Sequence, residues 1–176
     1  YHLQAIEICK RAGDRYGLAR AYGNLSELLR IQKRYAEAKP YTLEAIKLAY
    51  ELGNRYVLPI MRINLSYSQV GLGEIHEAYH AVREALQFNI EGDSTSWVLF
   101  SLVGYANVLV AEGKREPAIE ILGLCMNHPE TNSDTHRDIQ LVLEELGELP
   151  SEELEAGLAR GKSLDLNKTV VKALGG

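Results

Sequence analysis

The sequence predicts an all-α protein made of repeated helix pairs and closed by a helical tail. Three observations support this fold class: an internal period of forty residues, apolar side chains at helical spacing, and the lack of an alternating stretch typical of a strand. The chain of 176 residues is long enough to bury a core without disulfides or metal sites. We therefore expect helices over most of the chain, stabilised mainly by contacts between neighbouring repeats.

The forty-residue period appears without any gap in the alignment. Residues 1–40 share thirteen identical positions with residues 41–80. A weaker third copy follows at the same spacing. The clearest matches are Gly13/Gly53, Tyr16/Tyr56, Leu25/Leu65, Ser26/Ser66 and Ala38/Ala78, followed by Gly73/Gly113 and Ala78/Ala118.

Each repeat is predicted to contain two helices. The first helices cover residues 15–31, 55–70 and 95–111, and the second helices cover residues 35–52, 75–89 and 115–126. Three polar residues stand where a helix needs an N-cap oxygen, and two glycines stand where a helix ends in a left-handed residue. The caps are Asp14, Asn54 and Ser94, and the glycines are Gly13 and Gly53.

Small residues mark the packing face of each second helix. They stand seven residues apart, which is two helical turns, so that a neighbouring helix can approach closely. The pairs are Ala38 with Ala45, Ala78 with Ala85, and Ala118 with Cys125. We therefore interpret Cys125, and Cys9 with it, as small core residues. Two cysteines do not form a disulfide framework, which favours a cytoplasmic location.

The tail after Pro129 is predicted to fold as helices that cap the array. An amphipathic helix begins near Ser133, another begins at Pro150-Ser151, and a short last helix carries Val170, Val171 and Leu174. Residues 130–165 contain ten acidic and three basic side chains. A polar outer face of this kind is typical of the terminal unit of a repeat protein.

These repeats resemble the tetratricopeptide family. The family pattern has a leucine-small pair in the first helix and two small residues seven apart in the second; here the pairs are Leu25-Ser26, Leu65-Ser66 and the degenerate Tyr105-Ala106. The resemblance implies a right-handed superhelical solenoid of antiparallel helix pairs. It would contain a partial repeat 1–13, units 14–53, 54–92 and 93–129, and capping helices 130–176. The sequence departs from the family in its period, forty rather than thirty-four residues, and in lacking the usual proline at the end of the second helix.

The order of repeats and tail is similar to the carboxyl terminus of bacterial STAND-type, MalT-like signalling regulators. The resemblance implies a sensor region that binds a protein, a peptide or other domains of its parent chain. Tyr1 falls inside a second helix, so we expect a fragment of a longer protein. A stand-alone peptide-sensing regulator is the alternative, which a gene without an upstream ATPase domain would favour.

The resemblance also implies a partner-binding groove lined by the first helices. Its apolar members have two interpretations: they bind a partner helix or peptide, or adjacent helices or a symmetry mate cover them. The positions are Arg20, Glu27 and Arg30 in the first unit, Ile60, Ile63 and Tyr67 in the second, and Phe100, Val103 and Asn107 in the third, with Gly23, Val70 and Val110 in the same columns.

Charge and hydropathy exclude several classes of partner. The net charge of −5 argues against direct nucleic-acid binding, and no apolar run approaches the roughly 20 residues that span a membrane. The charge is also polarised, with residues 1–60 at +4, residues 61–129 at −4 and residues 130–165 at −7. Such an array has a basic and an acidic end, and this polarity has two interpretations: the charges guide association through the ends, including homo-oligomers, or they are solvated faces without a function.

Two motifs resemble catalytic or binding chemistry. His76-Glu77-Ala78-Tyr79-His80 matches the zinc-hydrolase pattern, but Ala78 is a packing residue and no third ligand follows at the required spacing. Residues 161–163 (GKS) resemble the end of a phosphate loop without its upstream glycine. We therefore expect a non-enzyme with no catalytic residue, metal or cofactor, and we regard a zinc hydrolase as the less favoured alternative. Tyr16 and Tyr56 are expected to pack in the turns between helices.

Overall fold

The computed structural model describes residues 1–175, and this part of the chain forms ten α-helices and no strand. The all-α prediction is confirmed. The helices are α1 His2–Ala12, α2 Arg15–Ile31, α3 Tyr35–Glu51, α4 Val57–Gly71, α5 Ile75–Glu91, α6 Thr95–Ala111, α7 Arg115–Asn127, α8 Ser133–Glu145, α9 Ser151–Gly161 and α10 Leu166–Ala173.

Left-handed residues terminate six successive helices at a fixed spacing. They recur every twenty residues from position 13 to position 113, so that the backbone repeats the same turn after each helix. A left-handed residue at a helix end lets the amides that follow the helix donate hydrogen bonds to its last free carbonyls. Each turn is therefore short, and the chain reverses there. The φ angles are 68° at Gly13, 58° at Lys33, 65° at Gly53, 78° at Gly73, 49° at Asp93 and 78° at Gly113.

The helix starts agree with the sequence prediction except at α4. Asp14 caps α2 as predicted, because its Oδ1 accepts a hydrogen bond of 2.8 Å from the Gly17 amide. Asn54 is not a cap: α4 begins at Val57 and its N-cap residue is Tyr56. Pro59 explains the later start. A helix beginning at residue 55 would require an amide hydrogen at position 59, whereas in the observed helix Pro59 lies in the first turn, where none is needed.

The chain divides into two compact units, and the boundary falls inside α5 between Phe88 and Asn89. In the first unit α2 packs against α1 and α3, and α4 packs against α3 and α2. Ala38, Ala45 and Ala78 are completely buried, as the small-residue pattern predicts. Arg62 on α4 donates a hydrogen bond to the Tyr50 hydroxyl of α3 at 2.6 Å and pairs with Glu84 of α5.

In the second unit α6 is the central helix. Every residue from 98 to 109 is buried, and α6 packs against α7, α8 and α10. The tail helix α9 packs against α7, where an added Cβ on Gly123 would lie 2.9 Å from the Leu158 Cα. The three predicted tail helices are thus present, and they pack on the last repeated helix pair. The repeat boundaries themselves stay a prediction.

Candidate interaction surfaces

The predicted groove positions of the first unit differ in accessibility. Arg20 is exposed and Glu27 and Ile60 are half-buried, whereas Arg30, Ile63 and Tyr67 are buried. A buried side chain has little surface left for a partner. The predicted groove positions of the first unit that stay accessible are therefore Arg20 and, in part, Glu27 and Ile60.

Two contacts place α2 and α4 side by side. The Arg30 guanidinium lies 4.5 Å from the centre of the Tyr67 ring, a cation–π geometry. Closer to the helix starts, Gly23 faces Met61, whose sulfur would lie 3.1 Å from a Cβ added at residue 23. The structure therefore brings the predicted groove residues of α2 and α4 together, but as a packed helix interface rather than an open groove.

The groove residues of the second unit are all buried. Phe100, Val103 and Asn107 lie on the buried part of α6, and the Phe100 ring meets the Trp97 ring edge-on at 5.6 Å. Val103 has no exposed surface. The apolar groove positions Ile63, Phe100 and Val103 are thus buried within the protein. Of the two interpretations of the apolar positions, coverage by adjacent helices is the one that fits these three residues.

Two tyrosines that were expected to be packed between helices are exposed to solvent. The expectation that Tyr16 and Tyr56 pack in the turns is wrong, since the side chains are 61% and 91% exposed. Both stand at a helix start, and helical side chains lean toward the amino terminus, so the rings extend beyond the helix end into solvent. The recurrence of tyrosine rather than phenylalanine in this column is the sequence signal that indicates an exposed ring.

Tyr16 lies four residues before Arg20, and Tyr56 lies four residues before Ile60. Residues at this spacing share one face of a helix, so each tyrosine continues the stripe of predicted groove positions. We call these four residues the tyrosine surface. It combines two accessible rings, one guanidinium and one half-buried aliphatic side chain on neighbouring helices.

The second unit has a cleft of about 410 Å³ beside the start of α6. The walls come from the end of α5, the α5–α6 turn and the last helix, α10. They are mainly apolar. The apolar lining residues are Ile90, Val98, Leu166, Val170, Val171 and Leu174, and the polar ones are Asn89, Asp93, Ser94, Thr95 and Asn167.

His76 and His80 stand on the exposed side of α5, with ring centres 4.9 Å apart. Zinc hydrolases require a third protein ligand and a dry cavity. In residues 1–175, no group of three or more His, Cys, Asp or Glu side chains is arranged to hold a metal ion. Among the described residues, the histidine pair is thus an exposed pair of possible ligands on α5 without a third one beside it.

The glycine of the GKS segment has a packing role. Gly161 ends α9, and an added Cβ would lie 2.8 Å from the Gly123 Cα on α7. Arg160 binds across the same interface, donating to Glu120 at 2.7 Å and to Glu116 at 2.9 Å. Close helix packing accounts for this glycine without a phosphate ligand.

The two thiols lie in different surroundings. Cys125 is fully buried and lies 3.6 Å from the Leu99 carbonyl oxygen, to which it donates, and burial raises the pKa of this thiol. The core interpretation is confirmed for Cys125. Cys9 is only half-buried, beside Gly17, so for this residue the same interpretation holds in part.

Membrane insertion and similarity to known proteins give two negative findings. Among the described residues, none of the helices has the length and apolar character needed to span a bilayer. The chain matches no protein-family model, no curated protein and no solved structure.

Proposed function

We propose that this chain is a cytoplasmic interaction module of the tetratricopeptide type, a right-handed solenoid that binds a protein or peptide. Within that class, we propose the sensor region of a larger bacterial signalling or transcription regulator. The forty-residue period, the helix pairs and the left-handed turns at fixed spacing support the repeat architecture. The observation that carries the binding function is the tyrosine surface.

The chemistry of the tyrosine surface suits peptide recognition. Tyrosine rings supply large contact areas with a polar tip and few rotatable bonds, and tyrosine and arginine are enriched at binding hot spots. Residues 1–60, which contain all four residues of this surface, carry a net charge of +4. The favoured ligand is therefore an acidic peptide segment with an apolar or aromatic anchor.

A peptide-display selection tests this function. A random peptide library is selected against the chain, and the enriched peptides are measured by fluorescence polarisation. We expect acidic peptides whose affinity falls at least tenfold in the triple variant Tyr16→Ala, Arg20→Ala, Tyr56→Ala, since exposed aromatic and arginine anchors contribute most of the binding energy.

The control is the double variant Glu44→Ala, Lys47→Ala, which removes two exposed side chains of α3 outside the tyrosine surface. It should bind the selected peptides like the wild type. If no peptide is enriched, or if the triple variant binds every enriched peptide unchanged, the tyrosine surface is not a binding site.

A further inference from the structure

Two histidines stand one helical turn apart on the exposed side of α5. His76 and His80 are both exposed, and their ring centres lie 4.9 Å apart. Their spacing of four residues places both side chains on the same face of the helix. Within the described part of the chain, neither imidazole takes part in a hydrogen bond or an ion pair, so each ring has a nitrogen that is available to a ligand.

The distance between the two rings fits two ligands of one metal ion. Imidazole nitrogens bind zinc at about 2.0–2.1 Å, which places the ion about 3.2 Å from each ring centre. Two such ligands have ring centres about 5.2 Å apart at the tetrahedral angle and about 4.5 Å apart at a right angle. The observed 4.9 Å lies between these values, so the helix already sets the separation that a shared ion requires.

The corresponding positions of α7 hold one cationic group between them. Glu116 and Glu120 stand forty residues after the two histidines. Arg160 of α9 donates a hydrogen bond to Glu120 at 2.7 Å and another to Glu116 at 2.9 Å. Side chains at these two positions of a second helix therefore converge on a single ligand. On α5 imidazoles replace the carboxylates, and imidazoles are preferred ligands of transition-metal ions.

The charges of α5 allow a cation to bind beside the two histidines. His76 stands in the first turn, where the helix carries a partial positive charge, and the exposed carboxylate of Glu77 in the same turn offsets this charge. Arg83 is the basic residue of this helix, and its guanidinium lies 5.9 Å from the centre of the Tyr79 ring. The cationic side chain of α5 is thus engaged with an aromatic face.

We propose that His76 and His80 form a binding site for a divalent transition-metal ion of the class of Zn²⁺ and Cu²⁺. Such ions prefer imidazole nitrogens, whereas Mg²⁺ and Ca²⁺ prefer oxygen ligands. Because affinity for nitrogen ligands is highest at Cu²⁺, the site binds Cu²⁺ more tightly than Zn²⁺. Two protein ligands leave coordination positions open to water or to a donor atom of another molecule, unlike the four ligands of a structural zinc site. The site lies on α5 and does not depend on the tyrosine surface.

Metal titration of the whole chain tests the proposal. The chain is treated with a chelator, desalted and titrated with ZnCl₂, CuCl₂ or MgCl₂ by isothermal titration calorimetry. We expect saturable binding of Zn²⁺, tighter binding of Cu²⁺, and no binding of Mg²⁺. His76→Ala and His80→Ala should each weaken Zn²⁺ binding at least tenfold, because a single imidazole loses the advantage of two linked ligands.

Two further variants separate a ligand role from a structural one. His136→Ala is the matched control, since His136 is an exposed histidine on α8 without a histidine one turn away, and this variant should bind Zn²⁺ like the wild type. His80→Cys replaces the imidazole with another zinc ligand. It should therefore keep the Zn²⁺ binding that His80→Ala loses.

Urea denaturation supplies a second readout. The folded chain holds His76 and His80 one turn apart, whereas the unfolded chain does not, so the ion binds mainly to the folded state. Saturating Zn²⁺ should raise the urea midpoint of the wild type and of His136→Ala. It should leave the midpoint of His76→Ala unchanged.

Several results would overturn the proposal. They are the absence of saturable Zn²⁺ binding, equal loss of binding in His80→Ala and His136→Ala, and loss of binding in His80→Cys as large as in His80→Ala. Heat that rises with metal concentration without saturating, or that is unchanged in the double variant His76→Ala, His80→Ala, would indicate an adventitious ion only.

Discussion

Lys33 occupies a backbone position that glycine fills in the next two repeats. Its φ of 58° lies in the left-handed region, where a Cβ costs about 1–2 kcal/mol relative to glycine. Lys33→Gly should therefore increase the free energy of unfolding by about 0.5–1 kcal/mol, the gain being reduced by the greater freedom of glycine in the unfolded chain. Gly73→Ala should have the opposite effect, at a cost of about 1 kcal/mol. Urea denaturation measures both.

Gln32→Gly is the control for this pair, because Gln32 is adjacent and has a right-handed φ of −78°. Here glycine brings the entropic cost and removes the exposed hydrogen bond that Arg34 donates to the Gln32 Oε1 at 3.2 Å, so the variant should be less stable than the wild type. Stabilisation by Gln32→Gly as large as that by Lys33→Gly would show that the left-handed conformation is not the cause.

The thiols should differ in reactivity. Because the thiolate is the reactive form, a buried thiol with a raised pKa does not react until the protein unfolds. At pH 8 the reagent DTNB should modify Cys9 quickly in the native chain and Cys125 only at the rate of global unfolding. In Cys125→Ala the fast phase should persist and the slow phase should disappear. Fast loss of two thiols in the native wild type would contradict the buried position of Cys125.

Helix packing distinguishes two glycines that stand inside helices. An added Cβ at Gly123 meets the backbone of α9, including the Leu158 Cα at 2.9 Å, and a backbone cannot move aside cheaply. At Gly23 the nearest atoms belong to the flexible tip of Met61, at 3.1 and 3.2 Å. Gly123→Ala should therefore destabilise the chain by about 1–3 kcal/mol. Gly23→Ala should be neutral or stabilising by up to about 1 kcal/mol, since alanine is the better helix former.

Urea denaturation of the two alanine variants measures this difference. Leu158 belongs to α9, so the separation of α9 from α7 is the expected structural response to Gly123→Ala, visible as faster amide exchange in residues 151–161. A Gly123→Ala chain as stable as Gly23→Ala would show that α7 and α9 are not in backbone contact.

The helices were largely predictable from the sequence, because their signals are local. The period fixed the starts of α2, α3, α5, α6 and α7 at the predicted residues. At α4 the prediction followed the repeat and placed a cap at Asn54, but Pro59 moved the start to Val57. Pro59 has no amide hydrogen, so inside a helix it always loses a backbone hydrogen bond, whereas a capping preference contributes only about 1 kcal/mol. The proline therefore determines where α4 begins, although the repeat favours an earlier start.

The accessibility of the site was less predictable, since it depends on how neighbouring helices cover each other. The positions of Arg30 and Tyr67 in the repeat placed both in the predicted groove, and their side chains are in contact. Position in the repeat gave no indication that their contact buries both side chains, or that Tyr16 and Tyr56 extend into solvent. Burial is a property of several elements together, so a pattern read along one helix specifies a face but not what covers it.

Each of the two units has its own set of buried side chains. The core cluster that includes Ile6, Leu25, Leu29, Ala45 and Leu65 lies entirely within the first unit. Leu25→Ala removes buried methyl groups from this cluster and should cost about 2–5 kcal/mol. Amide exchange followed by mass spectrometry should show the loss of protection mainly in residues 1–88.

Exchange in residues 89–175 provides the internal comparison for Leu25→Ala. It should stay near the wild-type rates, because the buried side chains around α6 and α7 are untouched. Equal acceleration throughout the chain would show that the protein opens only as a whole, and that the two cores are not energetically separable.

The regular spacing of left-handed residues determines in what steps this chain can change length. Removing residues 34–73 would join Lys33 to Glu74, so that the left-handed Lys33 would take the place of the left-handed Gly73 before α5. In the shortened chain α5 would follow α2 and bring Ala78 and Ala85 to the places of Ala38 and Ala45. A deletion of twenty residues would preserve the turns but place a first helix where a second helix stands. Genetic duplication or loss in such a chain therefore keeps first and second helices in alternation only in steps of forty residues, although its turns recur every twenty.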